Sequence, residues 1–249
     1  MPMVRQVDHQ DRKNKILAAT ISLYIKSGNP VSSQELAQLF GLSSATMRNI
    51  MAELEDDGYL FQPHTSAGRV PTDKGYRYYV DFLMGQVQLS PFQKESILNE
   101  YKKRITSLED VLEKTTEIIA TLTHYTAIVS FPDWDDRFIF AGLSNIIQQP
   151  EFADKQKLFL IIKLLEEKRQ LLRLLNADIN APTIYIGNEM ACAFVNDECS
   201  LVVSPYKKGK KDPRRGKVAV LGPRRMSYDQ AVSTLEFVTR TLNELLENY

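Results

Sequence analysis

The chain is predicted to be an α+β protein: an N-terminal winged helix-turn-helix, a long heptad helix and a mixed α/β C-terminal domain. Three observations predict this. Amphipathic helical stretches, bounded by Ser, Gly or Pro, precede a Gly58-Tyr59-Leu60 strand and a Pro/Gly-bounded basic loop. Apolar residues then recur at alternating three- and four-residue steps from Leu98 to Leu122. Beyond them, short apolar runs separated by turns lead to a second helix with the same spacing.

The first helix is expected over Asp11 to Lys26, with Ile16, Leu17, Ile21, Leu23 and Tyr24 on one stripe. Gly28-Asn29-Pro30 ends it. Ser32 followed three residues later by Glu35 is a capping-box pattern, because hydroxyl and carboxylate can each satisfy an orphan backbone donor. It opens a short helix, Ser33 to Phe40, that stops at Gly41. Ser43 caps the third helix, which runs to Asp57, with Met47, Ile50, Met51 and Leu54 inward and Ser44, Thr46, Arg48 and Asn49 outward. Tyr59-Leu60-Phe61 and Arg69-Val70 can pair as the strands of a wing, with Pro63, Gly68 and Pro71 bending the loop. Thr72 caps a fourth helix through Tyr76, Tyr79, Val80 and Leu83.

Residues 1–84 form the expected DNA-binding domain, 85–124 a linker and long helix, and 125–249 a regulatory or dimerisation domain. The heptad positions Leu98, Tyr101, Ile105, Leu108, Leu112, Thr115, Ile119 and Leu122 fit either a helix packed on its own domain or one that also pairs two chains. Strands are expected at Tyr125 to Phe131, Phe138 to Gly142, Pro182 to Gly187, Ser200 to Ser204 and Lys217 to Leu221. Lys155 to Asn176 reads as helix, and a last helix from about Ser227 carries Tyr228, Ala231, Leu235, Val238, Leu242, Leu245 and Tyr249.

Composition excludes several classes. No apolar run approaches the roughly 20 residues of a membrane-spanning helix, and the N-terminus lacks a signal-peptide core. Cys192 and Cys199 alone do not make a disulfide framework, which points to the cytoplasm. No cofactor or metal site is expected. There is no P-loop, G-x-S-x-G or H-E-x-x-H, so no enzyme is expected. Asp133, Asp135 and Asp136 read as a charged connector, and Tyr125 and Trp134 as core or boundary aromatics. With 31 basic and 31 acidic residues overall, and nine of each in the first 84, charge gives no support to tight non-specific nucleic-acid binding. It favours a reader that gains affinity by pairing two copies.

The candidate DNA-binding residues are Ser43, Ser44, Thr46, Arg48, Asn49, His64, Thr65, Ser66, Gly68, Arg69 and Lys74. Arg can bind guanine O6/N7 and Asn adenine N6/N7 as bidentate pairs; the alternative for both is a solvated face. Ser43 is first a helix cap, and Ser44 and Thr46 can meet phosphate or a thymine methyl. Arg69 leaves the turn at Gly68 and can enter a narrow minor groove. His64, Thr65 and Ser66 offer donors to phosphate or merely shape the turn. Lys74 and Arg77 touch phosphate or lie on a solvated face. Lys207, Lys208, Lys210, Lys211, Arg214, Arg215 and Lys217 crowd a Gly/Pro-rich hairpin tip around Asp212. That tip reads as a solvated loop, with an auxiliary phosphate contact or a patch facing a protein partner as the alternatives.

Several stretches together resemble the heat-inducible transcription repressors of bacteria, the HrcA type. They are Gly28-Asn29-Pro30-Val31-Ser32-Ser33, Leu42-Ser43-Ser44-Ala45-Thr46-Met47-Arg48-Asn49, the wing from Pro63 to Arg77, Phe140-Ala141-Gly142 to Phe152, Ile184 to Glu189, and Gly216 to Met226. The resemblance implies a dimeric repressor that binds an inverted-repeat operator upstream of chaperone genes and releases it on heat stress. It also implies a GAF-like C-terminal domain and an active state that depends on the chaperonin. This chain departs from the family between Phe131 and Phe140, where only Pro132 to Ile139 stand in place of a long segment. The GAF-like domain is therefore expected to be reduced. A small-molecule-responsive winged-helix regulator is the alternative function.

Overall fold

The computed structural model describes residues 2–102, 106–134, 137–166, 168–175, 177–190, 198–209 and 214–247, with the backbone alone for 2–8. Ile105, Asp135, Asp136, Asn176, Cys192, Lys210, Lys211, Asp212 and Tyr249, all named above, lie outside the described residues. The chain divides into two compact units, Met1–Gly85 and Gln86–Tyr249. The 86–124 stretch thus belongs to the second unit.

In the first unit, helices α1 (Pro2–Ser27), α2 (Ser33–Phe40) and α3 (Ser44–Asp56) precede a two-stranded sheet of β1 (Leu60–Phe61) and β2 (Val70–Pro71). Helix α4 (Asp73–Tyr78) follows and continues as a π-helical turn, Tyr79–Leu83. The hydroxyl caps are those the sequence signals, though the return bond from Glu35 in the expected capping box is not formed. Ser32 accepts from the Glu35 amide, Ser43 from the Thr46 amide and Thr72 from the Gly75 amide. Each satisfies one of the four orphan donors at a helix start. Gly41 ends α2 in the left-handed conformation, φ 63°. Ile16, Leu17, Ile21, Leu36, Met47, Ile50, Met51, Leu54, Leu60 and Tyr76 are all buried and form the unit's core. Each removes enough apolar surface to contribute about 1.5–3 kcal/mol.

The second unit is an antiparallel five-stranded sheet between two helical layers. Its strands are β3 (Thr126–Ser130), β4 (Phe138–Ala141), β5 (Thr183–Ile186), β6 (Cys199–Lys207) and β7 (Arg215–Pro223), in the order β4-β3-β7-β6-β5. Register places Ile128 opposite Ala219, and Leu201 opposite Leu221. These side chains share one face with Phe138, and that face packs on α7 (Leu143–Ile147), α8 (Lys155–Glu166) and α9 (Arg169–Leu175) through Ile146, Ile161, Leu164, Leu171 and Leu175. Alternate residues lie on the opposite face, against α6 (Leu108–Thr123) and α10 (Tyr228–Leu246). Ser200 of β6 hydrogen-bonds Tyr228 of α10 at 2.8 Å, which fixes that side. With both faces covered, the central strands are apolar throughout rather than alternating, as seen in Leu201-Val202-Val203 and Val218-Ala219-Val220-Leu221. The result is a mixed α/β domain, as expected.

The long heptad helix requires correction. Helix α5 (Pro91–Tyr101) ends with Lys102 as its C-cap, and α6 begins afresh at a capping box of Ser107 and Asp110. The Tyr101 hydroxyl lies 2.8 Å from Thr115 Oγ1. Fourteen residues of continuous helix would hold those positions about 21 Å apart, so the chain folds back between them. Asp110 fixes the restart by accepting from Thr106 and Ser107, and these bonds hold its carboxyl at about 2. The three-four spacing persists because both helices bury the same kind of stripe, and spacing does not report continuity. Lys155 to Asn176 likewise resolves into α8 and α9 instead of one helix.

Candidate nucleic-acid interface

Burial along α3 separates the helix into two functions. Met47, Ile50, Met51 and Leu54 are buried, which leaves Ser43, Thr46, Arg48 and Asn49 exposed and Ser44 half-exposed on the other side. The first-turn hydroxyls are already engaged: Ser43 Oγ takes the Thr46 amide at 3.0 Å and shares a 2.8 Å hydrogen bond with Thr46 Oγ1. Arg48 folds back on its own helix through Nε, 3.3 Å from the Ser44 carbonyl. That contact is weak and exposed, so the guanidinium can be redirected at little cost. The carboxylates of α3 occupy the opposite end. Glu53, Asp57 and His9 join Lys13 of α1, with Lys13 Nζ 2.7 Å from Asp57 and 3.4 Å from Glu53, and His9 2.9 Å from Glu53. The hydrogen bond from His9 holds the Glu53 carboxyl below its ordinary value. Burial opposes the charge of Lys13, but bonds from Asp57 and Glu53 outweigh it and raise the amine. Negative charge is thus kept to the helix end remote from the exposed polar face.

The wing is built from three backbone contacts and one carboxylate. Arg69 and Val31 exchange both backbone hydrogen bonds, N to O 2.9 and 2.8 Å, making Val31 a third, one-residue strand beside the wing. The approach is so close that a Cβ on Gly68 would lie 2.3 Å from the Val31 carbonyl oxygen, and one on Gly75 would lie 2.1 Å from that of Tyr59. Only glycine fits at either site. Glu55 of α3 then accepts the Gln62 amide at 3.1 Å through Oε1 and pairs with Arg69 at 2.8 Å through Oε2. The Gln62 side chain in turn donates to the Thr65 and Ala67 carbonyls at 3.0 and 2.8 Å. His64, Thr65 and Ser66 stand exposed at the tip of the loop thus shaped.

Two of the residues expected to meet DNA make contacts within the protein. Arg69 does not project from the turn: it is mostly covered and held by Glu55. The pair is charge-assisted and only partly solvated, which favours this position of the guanidinium over a free one. Lys74 donates to the Asp57 carbonyl at 2.6 Å and lies 4.7 Å from the Tyr59 ring centre, so it closes the turn after α3. Arg77 pairs with Asp81 one helical turn on. Glu55, Gln62 and Val31 are the residues that sequence reading missed. Val31, a lone apolar residue between Pro30 and Ser32, was the available signal; nothing local distinguishes Glu55 from the solvated acids beside it.

Comparison with known proteins agrees with this architecture. The family model described as "Winged helix-turn-helix transcription repressor, HrcA DNA-binding" matches residues 9–80, and that described as "HrcA protein C terminal domain" matches residues 133–232. The chain is 30% identical to the heat-inducible transcription repressor HrcA of Moorella thermoacetica, over 95% of this chain and 98% of that protein. It is 29% identical to HrcA of Pelotomaculum thermopropionicum, over 95% and 97%. The alignment with the Moorella protein runs over 339 positions, against 249 residues here, so that relative holds segments this chain lacks. A crystal structure of a protein described only as hypothetical shares the fold, with TM-score 0.75 and 21% identity over 96% of this chain and 97% of that one. No helix among the described residues is long and apolar enough to cross a membrane.

Proposed function

The chain belongs to the HrcA family of heat-inducible transcription repressors, and from that premise we propose that it binds an inverted-repeat operator as a dimer, in the cytoplasm, and releases it on heating. The observation that carries this reading is the exposed polar face of α3, with Arg48 and Asn49 beside a wing whose tip is His64-Thr65-Ser66. A helix of this kind lies in the major groove while the wing meets the flanking backbone. Arg48 supplies the base contact, Ser44 and Thr46 the neighbouring phosphate, and Arg69 acts indirectly by holding the wing.

Pairing is supported by charge. Nine basic and nine acidic residues in the first 84 give a single module little non-specific affinity, so two linked half-sites supply the strength. A pairing surface in the second unit is supported by the exposed apolar residues of α5, Phe92 at 81% and Leu98 at 40%. Separation of the two copies on warming then forfeits operator binding without any change in α3. The test is sedimentation and operator binding of the full chain, measured together across the induction temperature. The reading expects affinity and dimer fraction to fall in step. Loss of affinity from an intact dimer of unchanged shape would refute release by separation.

A further inference from the structure

In the second unit a cleft of about 530 Å³ opens at one end of β3 and β7, beside the segment that follows α9. Its lining includes Phe131, Trp134, Asp178, Arg214, Arg215 and Lys217. Its volume lies within the few hundred to a thousand Å³ typical of small-molecule sites.

The chemistry of the cleft centres on Lys217. This residue is 94% buried, being only 6% exposed, yet it forms no ion pair among the described residues. Its ammonium carries three donors, and the hydrogen bond it makes is a long one, 3.4 Å to the Ile179 carbonyl. A buried cation without a carboxylate partner is costly, and an apolar residue of the same volume would serve packing better. Burial, with the neighbouring charge of Arg215, pushes the amine below its ordinary value, and Asp178 only partly opposes this. The other cations are placed differently. Asp133 pairs with Arg214 at 2.8 Å and with Lys208 at 2.7 Å, whereas Arg215 is exposed at the rim. Two aromatic rings also line it: Phe131 and Trp134 pack with ring centres 5.8 Å apart, with Arg137 4.2 Å from the Trp134 ring centre and Lys208 5.5 Å from that of Phe131.

We propose that this cleft binds a small organic anion, its charged head held by Lys217 and Arg215 and a flat apolar body laid against Phe131 and Trp134. An incoming anion supplies the donors of Lys217 with a charge-assisted partner. The aromatic wall accounts for a ring rather than a bare inorganic ion.

The experiment uses the full chain without DNA, so its outcome is independent of the repressor reading. Trp134 is the sole tryptophan and reports on the cleft directly. Phenyl phosphate is titrated against its fluorescence, with inorganic phosphate and benzyl alcohol as the head-only and body-only probes. The proposal expects a saturable change with phenyl phosphate and at least tenfold weaker binding of the other two. Lys217→Met, which keeps the stem and removes the buried charge, should melt at or above the wild type and bind at least tenfold more weakly. Arg215→Gln, at an exposed position that cannot unfold the sheet, should bind several-fold more weakly. No saturable change in the wild type overturns the proposal. So does unchanged affinity in both variants, and equal binding of inorganic phosphate removes the apolar half of the site.

Discussion

Glu55, near the end of α3, and Arg69, at the base of the wing, form an ion pair with Oε2 and Nη2 2.8 Å apart. The other oxygen of Glu55 holds the first residue after β1, Gln62, whose side chain ties the wing loop to itself. One carboxylate therefore couples α3 to the wing loop. The exposed polar face of α3 and the wing cannot drift apart without breaking that pair.

Replacing Glu55 by Gln should loosen the wing without disturbing α3. The lost charge-assisted bond is partly solvated, so unfolding stability should fall by only about 1 kcal/mol. Operator affinity should fall more than stability does, and hydrogen exchange should rise selectively at Gln62 to Arg69. Equal protection of that loop in the variant and the wild type counts against the clasp.

Arg48→Ala should leave the melting temperature unchanged, because the side chain is exposed and only weakly held. Its cost should appear in binding instead, at about 1–3 kcal/mol and confined to one operator position. Base-by-base competition with substituted duplexes separates this from a uniform loss, which would reassign Arg48 to phosphate.

Gly68→Ala places a methyl group 2.3 Å from the Val31 carbonyl oxygen, so the backbone must yield. A loss of about 1–3 kcal/mol in stability is expected for such overpacking. It should come with weakened operator binding, because the Val31–Arg69 bridge opens. Thermal melting with near-wild-type stability would show that the close approach is relaxed at no cost.

Glu53 has a folded-state carboxyl held below its ordinary value by His9 and Lys13. Its contribution is therefore complete above the unfolded carboxylate value, near 4.5, and is lost as pH falls through the depressed folded value. Melting curves of the wild type and Glu53→Gln should differ at pH 6 and converge toward pH 3. A gap that persists at pH 3 would locate the effect in packing and not in charge.

The helix caps, both strands of the wing and the inward stripe of α3 were legible in the sequence because each depends on neighbours within a turn or two. Ser32, Ser43 and Thr72 signal starts through their own hydroxyls, and Gly41 signals a stop. What escaped reading depends on distant partners. Arg69 looks free beside Gly68 until Glu55, fourteen residues earlier, is brought against it. The seam from Leu98 to Leu122 keeps its rhythm through a fold-back that only the Tyr101–Thr115 bond exposes. Trp134 and Lys217 lie 83 residues apart in sequence, so their shared cleft has no local signature.

The central claim is that the exposed face of α3 reads base sequence. Competition binding of the full chain and of Arg48→Ala to an inverted-repeat duplex from a chaperone promoter, and to a scrambled duplex of equal length, tests it most directly. The account predicts strong preference for the inverted repeat in the wild type, with Arg48→Ala losing most of it while binding the scrambled duplex as before. Equal affinity of the wild type for both duplexes would contradict it.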